Sequence, residues 1–162
     1  MSPASALHAS LRLALPGLAG TFHDPWWIIG SAALALAGMP DAPPQDIDVL
    51  CSTEDAHRLR AAWSAHLDAG HAPQDGARFR SAFSRFAHLP MPLEAMGGLE
   101  VRTDAGWQPL QVREDMAIDV DSHAVRVPTL GEQRRILHLF GRDKDLARAG
   151  RIAAFLEHAH VA

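Results

Sequence analysis

The sequence has a single cysteine, Cys51, so no internal disulfide can form. That usage is compatible with a reducing compartment. Long hydrophobic runs are missing too. The longest apolar stretch, Trp26 to Gly38, is too short and too interrupted to span a bilayer. No basic segment followed by an apolar run opens the chain, so no signal peptide is expected and the chain reads as cytoplasmic. There is no basic block, and the net charge is −4. Long duplex nucleic acid is therefore a poor partner, because such binding rests on Lys and Arg meeting phosphates. Lysine is nearly absent: Lys144 stands alone against fourteen arginines. With the high alanine content, this usage matches a GC-rich bacterial genome and makes Lys144 conspicuous. The ten histidines include no HExxH-type ligand spacing and read mostly as surface residues.

What is present suffices for a self-contained core. A chain of 162 residues with 48% hydrophobic and 21% charged residues fits one globular domain, 1–162, needing no disulfide or metal to hold it. Helical spacing of Leu7, Leu11 and Leu15 predicts a helix over Ser5 to Leu15, with Pro16-Gly17 as its stop. Trp26 to Ile29 reads as a buried strand, and Gly30-Ser31 turns into a helix over Ala32 to Ala37. Pro40 to Gln45 holds three prolines and reads as loop. Ile47 to Cys51 is a second buried strand. Ser52 or Thr53 caps a helix expected to reach about Ala69, with Gly70 at its end. Strands follow at Arg78 to His88 and Met91 to Met96, the second closed by Gly97-Gly98. Shorter β-like pieces lie at Leu99 to Arg102, Trp107 to Val112 and His123 to Val127. Thr129-Leu130-Gly131-Glu132 is a capping-box pattern, Gly141 breaks the helix it opens, and a last helix runs from Arg142 to about His160. The order fits an α+β fold: a mixed β-sheet with flanking helices, packed on one side. The core covers about 20–128 and the C-terminal helices about 129–160.

Three features carry chemistry. Asp46 and Asp48 alternate with Ile47 and Val49, so on a strand both carboxylates share the face opposite the core. Two such charges raise each other's pKa unless a cation lies between them, and a hard ion such as Mg²⁺ suits oxygen ligands. Gly30-Ser31 lies at a strand-to-helix turn, where free N–H groups favour an anion. Glu94 alternates with apolar neighbours in Pro92 to Met96, an unusual place for a carboxylate unless that face meets water, a metal or a partner. Each has an ordinary reading alone: an exposed acidic edge, a serine-capped turn, a solvent-facing strand position.

Together, the segments WWIIGSAALALAG, QDIDVLCS and MPLEAMGG resemble the DNA polymerase beta-like nucleotidyltransferase superfamily. The C-terminal VPTLGEQRRILHLFGRDKDL is similar to the tail of its small bacterial members. The spacer departs from the pattern: fourteen residues separate Ser31 from Asp46, the excess being the proline-rich loop. The resemblance implies transfer of a nucleoside monophosphate from a nucleoside triphosphate to a hydroxyl. It implies Mg²⁺ (or Mn²⁺) on the catalytic carboxylates Asp46, Asp48 and Glu94. It also implies nucleotide binding by Gly30 and Ser31, with Lys144 or Arg142 neutralising phosphate charge; a solvated helix start is the plain reading of those two. The acceptor is left open between a small molecule such as an antibiotic, a protein side chain and an RNA end. The short C-terminal part leaves little room for a dedicated acceptor domain, which a homodimer or partner would offset. The rival reading is a protein of the same fold that binds nucleotide or regulates without catalysis, such as a toxin–antitoxin component. Arg78 and Arg80 share a strand face, suited to phosphate or simply solvated, with Arg85 nearby. Trp26 and Trp27 read as sheet packing, and Trp107 as cleft lining or core.

Overall fold

Apolar residues at strand and helix spacing put most of the large side chains on two sides of one sheet. A computed structural model describes residues 1–41 and 43–161, without the side chains of 160 and 161. Ala42, inside the proline-rich loop, and Ala162 lie outside the described residues. The elements run α1 (Pro3–Thr21), β1 (Trp27–Ile29), α2 (Gly30–Leu36), β2 (Ile47–Cys51) and α3 (Thr53–Ala62), then β3 (Phe79–Phe86), β4 (Leu93–Thr103), β5 (Gly106–Pro109), β6 (Asp115–Val120) and β7 (His123–Pro128). Two helices end the chain, α4 (Leu130–Phe140) and α5 (Asp143–Val161). The main sheet has the order β1-β2-β4-β3, with β5 paired to β4; β6 and β7 form a separate hairpin. β2 and β4 are parallel, and the other main-sheet pairs are antiparallel. The sheet is thus mixed and the fold is α+β. Among the described residues, no helix is long and apolar enough to cross a membrane.

Four local expectations are corrected. Pro16 does not stop α1, which continues to Thr21. A proline inside a helix costs about 3 kcal/mol. Leu7, Leu11, Leu15 and Leu18 are all essentially buried along this helix, and each such burial returns about 1.5–3 kcal/mol. α3 ends at Ala62 rather than near Ala69. Trp63 turns its ring edge-on to Phe86 at 5.2 Å, a short 3-10 turn covers Ser64–His66, and Leu67 pairs with Phe86 as a bridge. Gly97-Gly98 does not close a strand, because β4 runs through it and absorbs the piece at Leu99 to Arg102. A Cβ on Gly97 would collide with the Cβ of Ala56, so glycine is there to let α3 press on the sheet. The piece at Trp107 to Val112 shortens to β5, which ends at Pro109, with one further backbone hydrogen bond from the Leu110 N–H to the Leu99 carbonyl at 2.8 Å. β6, unassigned from the sequence, pairs along its whole length with β7.

Helices also occupy both faces of the sheet, not one. Ile28, Ile47, Val49, Leu93 and Ala95 face a core shared with α1 and α3. On the opposite face, Ile29, Leu50, Leu99 and Val101 pack with Ile136 of α4. α5 docks through Ala149 and Ile152 onto Leu34 of α2 and Leu137 of α4. The second face is therefore covered only in part, and the uncovered part is a cleft.

Candidate active site

The cleft is a product of strand register. Asp48 lies beside Glu94 in the parallel pairing of β2 with β4, and beside Ile29 in the antiparallel pairing with β1. Ile47 and Val49, the alternate residues, are fully buried on the far face. Asp46 precedes β2 by one residue and shares the face of Asp48. The result is a cluster in which one carboxylate oxygen from each of Asp46, Asp48 and Glu94 lies within 4.8 Å of the others. These residues line a cleft of about 540 Å³ together with Gly30, Ser31, Arg142 and Lys144.

The Gly30 turn is built against the same carboxylate. Gly30 has φ +71°, and a Cβ there would stand 2.9 Å from Asp48 Oδ2. Only glycine takes that backbone shape without strain and leaves the space free. Ser31 is the second residue of α2 rather than its N-cap; Ile29 holds that position, and no side chain caps the helix.

Electrostatics distinguish the three acids. Burial, then the charges of Asp46 and Glu94, push the Asp48 carboxyl up to about 8, against the opposing pull of Arg148 and Arg85. Glu94 is also raised, by burial first and then by Asp46, while Arg85 and His71 pull it back. The cluster therefore resists carrying its full negative charge, as expected of a site prepared for a cation. The donors are all carboxylate oxygens, a hard set that fits Mg²⁺ or Mn²⁺ and has no thiolate or imidazole preference built in.

The basic residues divide by their partners. Lys144 is exposed on the cleft side of α5. Arg142 holds Asp145 through Nε at 2.6 Å and Asp75 through Nη1 at 2.6 Å, so it ties the α5 start to the loop before β3. Arg148 and Arg151 both hold Asp41 of the proline-rich loop, at 2.9 and 2.7 Å. Arg78 donates to the carbonyl of Phe140, and Arg80 pairs with Glu100 and lies 4.4 Å above the Trp107 ring. Trp27 donates its indole N–H to Asp115, and Trp26 packs edge-on to Phe22. Sequence reasoning missed His71, 3.5 Å from Glu94, and Asp68, 3.6 Å from Arg85. Both lie where α3 was expected to be ending. It also left Arg85 as a strand-face residue, whereas its guanidinium lies 3.4 Å from Glu94. The signal that finds Arg85 is its position opposite Glu94 in the β3–β4 register, a pairing not written in either strand alone.

No family model matches the sequence, and no curated relative matches it. Solved structures do share its architecture. A candidate nucleotidyltransferase, TM1012 from Thermotoga maritima, superposes with a TM-score of 0.66 at 20% identity, over 91% of this chain and 92% of that one. The antibiotic-resistance factor ANT(2'')-Ia superposes with a TM-score of 0.51 at 14% identity, over 97% of this chain and 85% of that one. A second structure of ANT(2'')-Ia, in complex with adenylyl-2''-tobramycin, gives 0.51 at 13% identity over 97% and 90%. Such identities speak for architecture alone, and the architecture they agree on is the nucleotidyltransferase fold.

Proposed function

We propose that the protein transfers a nucleoside monophosphate from a nucleoside triphosphate to a hydroxyl acceptor, aided by Mg²⁺ or Mn²⁺. The observation that carries this reading is the convergence of Asp46, Asp48 and Glu94, within 4.8 Å, in the open cleft of a nucleotidyltransferase fold. Asp46 and Asp48 would hold the metal with Glu94 beside them. A cation there supplies charge stabilisation for the attacking and departing oxygens. Glu94, raised by burial, is also suited to accept the proton of the acceptor hydroxyl. The Gly30 turn leaves room for a triphosphate to approach, with the Ser31 hydroxyl as a hydrogen-bond donor. Lys144 faces the same cleft and would offset phosphate charge. Arg142, engaged by Asp145 and Asp75, would reach a phosphate only by releasing Asp75.

In this reading the chain works as one nucleotidyltransferase-like unit in the bacterial cytoplasm, and a homodimer or partner helps to frame the acceptor. The ANT(2'')-Ia complex with adenylyl-2''-tobramycin makes aminoglycoside hydroxyls the first acceptors to try, followed by protein side chains and RNA ends. The test is a nucleoside triphosphate binding screen with and without Mg²⁺, then pyrophosphate release against that acceptor panel. Mg²⁺-dependent binding with release in the presence of an acceptor is expected. Binding without turnover on any acceptor would favour a regulatory nucleotide-binding protein, and no binding at all would overturn the reading.

A further inference from the structure

Arg85 enters the acidic cluster from the side. It stands opposite Glu94 across the antiparallel β3–β4 pair, so the two side chains are neighbours on the cleft face. Its Nη1 lies 3.4 Å from Glu94 Oε2 and 3.8 Å from Asp46 Oδ2. From behind, Asp68 holds its Nε at 3.6 Å. The Asp68 N–H in turn donates to the Arg85 carbonyl at 2.8 Å. The Arg85 side chain is 19% exposed and that of Glu94 13%. This guanidinium is therefore fixed by the sheet and by Asp68, and its charge is permanent.

Three carboxylates this close have enough oxygens to hold two divalent ions, which in such sites lie about 3.5–4 Å apart. Here the edge between Asp46 and Glu94 already carries a cation. On the other edge Asp48 lies against Gly30, and among the described residues no arginine is within ion-pair distance of both Asp46 and Asp48. Arg148, which also acts on Asp48, directs its Nε to Asp41. His71 Nε2 lies 3.5 Å from Glu94 Oε2, the same oxygen that Arg85 approaches. A dication placed between Asp46 and Glu94 would meet the guanidinium at close range, and like charges in a shielded site repel strongly.

We propose that the Arg85 guanidinium stands in for a second metal ion, so that the protein alone takes one divalent ion, seated between Asp46 and Asp48. Arg85 is then a positioning residue that also orients Glu94. This rests on the metal-dependent function proposed above.

The test counts Mn²⁺ bound to the full chain without nucleotide, from the electron paramagnetic resonance signal of the free ion. The wild type is expected to bind one ion, Arg85→Met two, and Arg85→Lys one, because lysine restores the charge. Asp48→Asn should abolish the single ion of the wild type. A thermal melt of each variant establishes that it is folded. Two ions in the wild type, or one in folded Arg85→Met, would overturn the proposal while leaving the metal-dependent function standing. If Arg85→Met does not fold, the counts for the wild type and Arg85→Lys decide: one each supports the proposal, and two in either overturns it. No Mn²⁺ on any folded form, with or without nucleotide, would remove both the proposal and the function on which it rests.

Discussion

The two faces of β2 and β4 alternate residue by residue along the same strands, yet they solve opposite problems. On one face, Ile47, Val49, Leu93 and Ala95 are fully buried against α1 and α3. On the other, Asp48 and Glu94 stand side by side with Asp46, and the carboxyl of Asp48 is pushed up to about 8. The first face gains free energy from leaving water; the second holds groups that would be easier to keep in water. The molecule tolerates the second because the first, one residue away, anchors the strand. The alternation sets a sharp positional rule. Stability should be lost by changing Ile47 or Val49 and gained, at the expense of binding, by changing Asp48.

The largest effect should come from moving a charge to the wrong face. Ile47→Asp puts a carboxylate where no partner waits, and about 3–5 kcal/mol of stability should be lost. Chemical denaturation would measure it, and a loss below about 1 kcal/mol would break the two-face account.

Next is Asp48→Asn. The carboxyl of Asp48 ionises near pH 3.8 when the chain is unfolded and near 8 when it is folded. The native state therefore holds its proton more tightly. The associated stability is complete below about pH 4 and is lost as pH rises through about 8, each pKa unit being worth about 1.4 kcal/mol. The metal-free wild type should melt at progressively lower temperature between pH 5 and pH 9 relative to Asp48→Asn, and Mg²⁺ should narrow that gap. Parallel pH profiles for the two proteins would mean that Asp48 is not held under strain.

Gly30→Ala tests the junction between the faces. At φ +71°, with its Cβ 2.9 Å from Asp48 Oδ2, alanine should cost about 2 kcal/mol. It should also weaken Mg²⁺ binding by displacing that oxygen. An unchanged melting temperature together with unchanged Mg²⁺ affinity would show that the turn relaxes freely.

The smallest expected effect concerns Lys144, at the rim. Lys144→Ala should weaken triphosphate binding about tenfold, near 1.4 kcal/mol, with Lys144→Arg retaining most of it. Arg12→Ala is the distant control, because its only ion-pair partner among the described residues is Asp121 at 3.8 Å. The deficit should shrink as salt rises, since the ammonium is exposed. Equal affinities at low salt would confine the proposed nucleotide site to the Gly30 turn and the carboxylates.

Local patterns made β2, the Thr129 cap of α4 and the α5 start legible. Period-two alternation, a hydroxyl followed by Glu132, and the left-handed Gly141 are all short-range signals. The same alternation placed Asp46 and Asp48 on one face before any tertiary contact was considered. Pro16 and Gly97-Gly98 misled for one reason: both are breakers by local rule, and both were overruled by packing, of the α1 leucines in one case and of Ala56 in the other.

Sequence alone therefore singled out Asp46, Asp48 and Glu94, because side-chain parity along a strand is a property of the chain itself. Tertiary structure decided which of them meet. Glu94 joins Asp48 because β2 and β4 pair in parallel, and Arg85 joins Glu94 because β3 pairs antiparallel on the other side. Neither register can be read from one strand, since each is set by the core face that the strands bury together.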